Sequence, residues 1–287
     1  MIIRIFGITT PTGNFLYKKH LKNKFHKIYC YSRSDNFIYL DLDIKKYEIN
    51  KFINKEKEPE IWISLVPIWK FSKFLNNLHK DDIRFIRRII VCSSSSAITK
   101  KFSWHQFDKK LTKNLINSEK EISFFSQKNN INLVIIRPTM IFGETEIYKD
   151  KNISKLTSIC RNLPFIIFPK NSGKRQPISI NQLSKVINKL IFDSLNRESN
   201  SEIINIGGDQ ILSYYELLKE IINANNFKCR IILIPKRFFL FLIFPILFIN
   251  SKFFSELLRV FSDLSGFTKS SSYLSLNEEK FSKFLTK

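Results

Sequence analysis

A chain of 287 residues, 44% hydrophobic and 25% charged, is long and apolar enough for one large α/β domain with an appendage, which excludes a disordered chain. Its 47 Lys and Arg against 25 Asp and Glu leave a net charge of +22, a balance that favours anionic partners such as nucleic acid or lipid. The cations are scattered and form no basic stripe, so a nucleic-acid function would rest on charge alone. Biased nucleotide composition also enriches Lys, Asn, Ile and Phe while depleting Gly. Cys30, Cys92, Cys160 and Cys229, like the four histidines, make no metal or redox spacing; free thiols and no metal site are expected.

The first strand-like run, IIRIFG, begins at about Ile2, which predicts no secretory leader ahead of it and a cytoplasmic chain. It runs into GITTPTG, residues 7–13. With only 7 glycines in the chain, Gly7 and Gly13 need a physical reason. Gly7 would permit a sharp turn at the strand end. Gly13 would let a helix, expected from about Asn14, pack close to the strand. The N–H groups at that helix start would then face a pyrophosphate. Thr10 stands where a middle glycine is usual, and ordinary turns can share the pattern.

KIYCYSR, FIYLDLD, IWISLV, RIIVCSSSS and NLVIIRPTMIFG continue the strand series, with helix-length segments such as NFLYKKHLKNK and KNLINSEKEISFFSQKNN between them. Continuous apolar strands separated by helices predict a parallel sheet covered on both faces. Past Gly143 the alternation loosens, with helices predicted over 154–162, 181–195 and 213–225 and a late strand in EIINIGG. Residues 238–249 are apolar throughout, with Pro245 as the break. That run is too short for a bilayer crossing of roughly 20 residues. It reads either as a buried helix of the C-terminal lobe or as an interfacial patch flanked by Lys236, Arg237 and Lys252.

Taken in order, these motifs resemble the extended short-chain dehydrogenase/reductase superfamily, in its nucleotide-sugar epimerase/dehydratase branch, over nearly the whole chain. FGITTPTGNFL resembles the glycine-rich cofactor turn, which carries Gly7, Thr10, Thr12 and Gly13. YLDLD is similar to the pair beside the adenine, Asp41 and Leu42. WISLVP sits where the strand-four cofactor contact belongs, at Leu65. VCSSSSA resembles the serine motif, with Ser94 and Ser95 toward the substrate and Ser95 bonding its hydroxyl. IIRPTMIFG resembles the Arg-Pro strand, with Pro138 beside the cofactor. GKRQPISINQL resembles the segment whose arginine, here Arg175, contacts a sugar-nucleotide phosphate. INIGGDQILSYYELLKEI matches the late strand and helix.

The resemblance implies a doubly wound parallel Rossmann sheet with a small C-terminal substrate-binding lobe. Residues 1–150 would form the NAD(P)-binding core. Residues 151–287 would be mainly the lobe, with a late strand and helices returning to the core. It also implies an NAD(P)-dependent epimerase, dehydratase or reductase acting on a nucleotide-linked or polyprenyl-linked sugar, in polysaccharide biosynthesis. A homodimer and peripheral contact with the inner face of a membrane through 238–249 stay open. At the end of the second strand, Tyr31, Ser32 and Arg33 replace the carboxylate that bonds a ribose 2′-hydroxyl. Arg33 could pair with a 2′-phosphate, so NADP(H) is favoured over NAD(H); a solvated loop arginine is the competing reading.

The resemblance breaks at the chemistry. The family's proton exchange uses a Tyr-x-x-x-Lys pair on the helix after the serine strand. No tyrosine occurs between Tyr47 and Tyr148. Counting back from IIRP places Thr112 or Lys113 at the tyrosine position and Ile116 or Asn117 at the lysine position. Lys109 and Lys113 are candidate replacement bases if desolvated, with Lys113 and Ser95 the catalytic candidates. Glu121 matches an acidic position of the family. A catalytically inactive NADP(H)-binding sensor or assembly subunit of the same fold is the alternative.

Overall fold

The computed structural model describes residues 1–34, 36–40, 42, 57–101, 103, 105–196, 201–249 and 259–285. Two compact units divide the chain. The first comprises Met1–Pro138, Glu144–Tyr148 and Ile180–Ile206; the second comprises Thr139–Gly143, Lys149–Ser179 and Gly207–Lys287.

In chain order the elements begin with β1 (Ile2–Phe6), α1 (Pro11–Leu16), β2 (Ile28–Ser32), β3 (Ile38–Tyr39), β4 (Glu60–Ser64) and α2 (Ile68–Asn76). Then come α3 (Lys80–Ile83), β5 (Ile86–Cys92), α4 (Ser96–Thr99), α5 (Gln106–Lys128), β6 (Asn132–Pro138) and β7 (Ile141–Phe142). Next are α6 (Ile153–Asn162), β8 (Phe165–Pro169), β9 (Lys174–Arg175), β10 (Ile178–Ser179), α7 (Ile180–Asn196) and β11 (Glu202–Gly207). The series continues with β12 (Leu212–Ser213), α8 (Tyr214–Ala224), β13 (Arg230–Ile234) and α9 (Lys236–Ile249). The helices read over 154–162, 181–195 and 213–225 are realised as α6, α7 and α8, each within one residue at either end. The single run NLVIIRPTMIFG is split, because the chain leaves the sheet after Pro138 and resumes as β7.

Within the first unit, seven strands lie in the order β11-β6-β5-β4-β1-β2-β3, every neighbouring pair parallel. This is the doubly wound arrangement, with β1 beside both β2 and β4. Every residue of β1 and of β4 is buried, which explains why these strands read as continuous rather than alternating apolar runs. Phe6, Trp62, Ile89 and Ile135 share one cluster with Phe71 and Phe74 of α2 and Leu115 and Ile122 of α5. On the helical layers, α2 packs on α5 and α1 on α7.

Charge nevertheless enters the sheet. Arg4 of β1 faces Glu60 of β4, and Trp62 Nε1 donates to the same carboxylate at 2.6 Å. Arg4 also donates to the Tyr31 hydroxyl. The second unit has its own core of Phe142, Cys160, Leu217, Leu218, Ile221 and Phe281, served by α6 and α8. Its short sheets pair β7 with β10, β9 with β12 and β8 with β13.

Candidate cofactor and substrate residues

The turn after β1 is built by three residues. Gly7 has φ +91°, a conformation that L side chains rarely adopt, and a Cβ there would lie 3.0 Å from Val66 Cγ1. Thr10 caps α1: its hydroxyl donates to Gly7 O at 2.8 Å and accepts from Gly13 N at 3.1 Å. The helix therefore starts at Pro11 rather than near Asn14, because proline at the first helical position needs no N–H partner. Gly13 lies inside the first turn, where a Cβ would sit 2.5 Å from Gly7 O. Thr12 and Asn14 are buried beneath it, and α1 runs on into one π-helical turn, Tyr17–Leu21. Among the described residues, no group accepts from the N–H of Thr9 or Thr12.

A cavity of about 180 Å³ opens beside this turn. Gly7, Thr9 and Thr10 line it from one side and Leu40, Leu42 and Pro67 from others, with Arg33 and Lys70 supplying cations. Arg33 is exposed, whereas Leu42 is buried. Ser32 ties the end of β2 to the turn, since its hydroxyl donates to Thr9 Oγ1 at 3.4 Å and accepts from Ser34 N at 3.0 Å. Tyr31 stacks on Phe6 with centroids 4.9 Å apart; burial pushes its phenol up to about 12, so it stays neutral. Leu65 N donates to Phe6 O at 2.9 Å, which holds the end of β4 against the turn. Asp41 lies outside the described residues. Lys70 was missed in the sequence, although its place one turn past WISLVP was a signal.

The serine motif at the end of β5 divides its work. Ser93 Oγ donates to Glu119 Oε1 at 2.5 Å. Arg137 grips the same carboxylate, Nε to Oε1 at 2.9 Å and Nη2 to Oε2. Ser94 Oγ accepts from Ser96 N at 3.2 Å, and Ser95 N donates to the carbonyl of buried Pro138 at 3.0 Å. The Ser95 hydroxyl itself has no hydrogen bond among the described residues. Cys92, the preceding residue, has its thiol pushed up to about 12 by burial and is no nucleophile at neutral pH.

One expectation on α5, a desolvated Lys113, is corrected. The acid buried on α5 is Glu119; Glu121, the position matched to the family, is exposed and accepts from Ser72 Oγ at 2.5 Å. Leu115 is in the core and Leu111 packs against it. Lys113 lies on the exposed face with Lys109 and Lys110, without the desolvation a replacement base would need. The inward position is taken by Thr112, whose hydroxyl donates weakly to Ser96 O at 3.4 Å.

Arg175 is also corrected. Its guanidinium is 4% exposed, donates from Nη1 to Lys174 O at 2.7 Å and Ser262 O at 2.5 Å, and from Nη2 to Arg259 O. It lies 4.5 Å from the centre of the Tyr214 ring. This geometry makes it a clasp inside the second unit instead of an open phosphate ligand. Gly173 belongs to the clasp, since its N–H donates to Val260 O and a Cβ would meet Ser262 O at 2.2 Å.

No protein-family model and no curated protein matches the chain. Solved structures match its fold. A UDP-glucose 4-epimerase from Thermotoga maritima, solved with UDP-glucose, is 12% identical over 99% of this chain and 96% of its own, with a TM-score of 0.70. A GDP-mannoheptose C4 reductase from Campylobacter jejuni with NADP bound is 13% identical over 99% and 95%, also at 0.70. A UDP-glucuronic acid 4-epimerase from Bacillus cereus, with UDP-glucuronic acid and NAD, is 14% identical over 99% and 96%, at 0.67. At these identities the likeness establishes the fold alone, an α/β Rossmann-like fold with a parallel central sheet and flanking helices.

Proposed function

We propose that this chain is an NADP(H)-binding oxidoreductase-type protein for nucleotide-linked sugars. The observation that carries the reading is the turn at Gly7, Thr10 and Gly13, where Gly7, Thr9 and Thr10 line a cavity edged by Arg33 and Lys70 and the Thr9 N–H is unengaged among the described residues. These residues fit a dinucleotide. Thr9 and Thr12 would bond its diphosphate, Leu42 would cover the adenine, and Arg33 with Lys70 would neutralise a 2′-phosphate. Leu65 and Pro138 would complete the cofactor's wall. The bound nicotinamide would supply hydride chemistry. Ser95 offers the unpartnered hydroxyl of the serine motif for a sugar hydroxyl, with Ser94 fixing the loop. Of the matched proteins, those solved with UDP-glucose, UDP-glucuronic acid and NADP support the same class of ligand for this chain.

A second reading is favoured by α5. Neither Thr112 nor Lys113 supplies a tyrosine at the family's acid/base position, and Lys113 is solvated. A protein with that helix could bind NADP(H) and a sugar without turning either over, as a sensor or assembly subunit. Calorimetry with NADPH and NADH, then turnover assays across UDP-, GDP- and polyprenyl-linked sugars, tests both. NADPH binding with turnover of any of these sugars supports the enzyme, and NADPH binding with no turnover supports the sensor. No binding of either nucleotide overturns both.

A further inference from the structure

The second unit carries an apolar surface edged with cations. In α9, Phe239 is buried, 6.2 Å from both Phe168 and Phe261 by ring centroids. Its neighbours Phe238, Phe241, Leu242 and Phe244 are exposed, Phe241 by 76%. The β8–β13 ribbon repeats the pattern. Its register sets Ile231 opposite Ile166 and Ile232 opposite Ile167. Ile166, Phe168 and Ile231 pack against the core, while Phe165, Ile167 and Ile232 are exposed. α9 follows β13 after Pro235 and packs against β8.

The charge within these elements has one sign. Segments 151–179 and 221–249, which supply α6, β8, β13 and α9, contain no Asp or Glu. Their exposed cations include Arg161, Lys170, Lys228, Arg230, Lys236 and Arg237. Large exposed apolar side chains on a monomer mark a surface made for contact. Cations beside them select an anionic partner. A second copy of the same face would set these cations against each other, with no carboxylate in either segment to pair them. Among the described residues, no helix is long and apolar enough to cross a membrane.

We propose that this face of the second unit docks on an anionic lipid surface. α9 lies in the plane of the interface, with Phe238, Phe241, Leu242 and Phe244 at the acyl boundary. Lys236 and Arg237 meet the headgroups at its N-terminal end, and Lys170 and Arg230 do so from the β8–β13 ribbon. The proposal is independent of what the cofactor cavity binds.

Vesicle flotation of the full chain, without nucleotide, tests it. Binding is expected to vesicles of phosphatidylcholine with phosphatidylglycerol, to be lost on phosphatidylcholine alone, and to fall as salt rises. Phe238→Ser with Phe241→Ser should lower the partition coefficient about tenfold or more. Lys236→Gln with Arg237→Gln should lower it roughly tenfold, and since both residues are exposed, Lys236 with its ammonium over the Phe261 ring, this pair keeps the test open if the phenylalanine variant fails to fold. Absence of binding at low salt, equal binding to neutral vesicles, or undiminished binding by the folded charge variant would each overturn the proposal. So would light scattering that finds a lipid-free dimer dissociated by Phe241→Ser, which would make the face an interface between copies.

Discussion

Arg4 holds Glu60 along one edge of its guanidinium, Nε to Oε2 and Nη2 to Oε1, each at 2.7 Å and both residues fully buried. Burial alone would depress the guanidinium, but its hydrogen bonds to the Glu60 carboxylate and the neighbouring charges hold it above its ordinary value. The pair joins β1 to β4, three residues ahead of the turn that begins at Gly7. Removing one partner strands the other charge in the core, whereas removing both strands neither. Arg4→Met or Glu60→Leu alone should therefore cost about 3–5 kcal/mol, and the double variant less than the sum of the two. Urea unfolding of the four proteins measures this, and strictly additive costs would refute the coupling.

Thr10 is expected to act on both folding and binding. Thr10→Ala removes the cap and should cost about 1 kcal/mol, while Thr10→Ser should restore most of it. Gly13→Ala pushes a methyl group onto Gly7 O, so its NADPH affinity should fall further than that of Thr10→Ala. Calorimetry after thermal melting separates the two effects.

Arg33→Asp places a carboxylate at the cavity rim. NADPH should bind about tenfold or more weakly, while NADH holds or gains affinity. Equal losses for both nucleotides would remove Arg33 from 2′-phosphate recognition and leave the turn untouched.

On α5, exposure sets the outcome. If the wild type turns over a sugar, Lys113→Met should leave turnover within about twofold. Ser95→Ala should lower it with NADPH affinity unchanged. A large loss in Lys113→Met would return that lysine to the mechanism.

Asp209 makes the second unit sensitive to acid. Burial, the largest single influence, raises its carboxyl, but the N–H groups of Glu279 and Ser271 and the Ser270 hydroxyl together bring it below its ordinary value of 3.8. A lowered folded-state value gives stability that is complete above the unfolded-state value and is lost as pH falls through the folded one. The stability gap between wild type and Asp209→Asn should be flat from neutral pH down to about 5 and close below the ordinary value. Chemical denaturation across that range checks it; a gap independent of pH would mean the aspartate is not charged in the fold.

What the sequence determined by itself was local. Gly7 and Gly13 were legible because a strand running into a sharp turn and a close helix leaves few choices of residue. The parallel sheet was legible because β1 and β4, covered on both faces, must be apolar at nearly every position. Thr10-Pro11 also carried the helix start, although the glycine spacing drew the expected start to Asn14. The tertiary structure decided what depends on distant neighbours. Glu119 rather than Glu121 is the buried acid because Arg137, 18 residues on, meets it from β6. Lys113 is solvated because helical phase gives the inward position to Thr112. Arg175 closes on carbonyls 84 and 87 residues away, so its charge is spent within its own unit. The stretch 238–249 left burial and exposure both open, because its apolar residues occupy every helical phase. Packing on β8 decided it, covering Phe239 and leaving Phe241 bare.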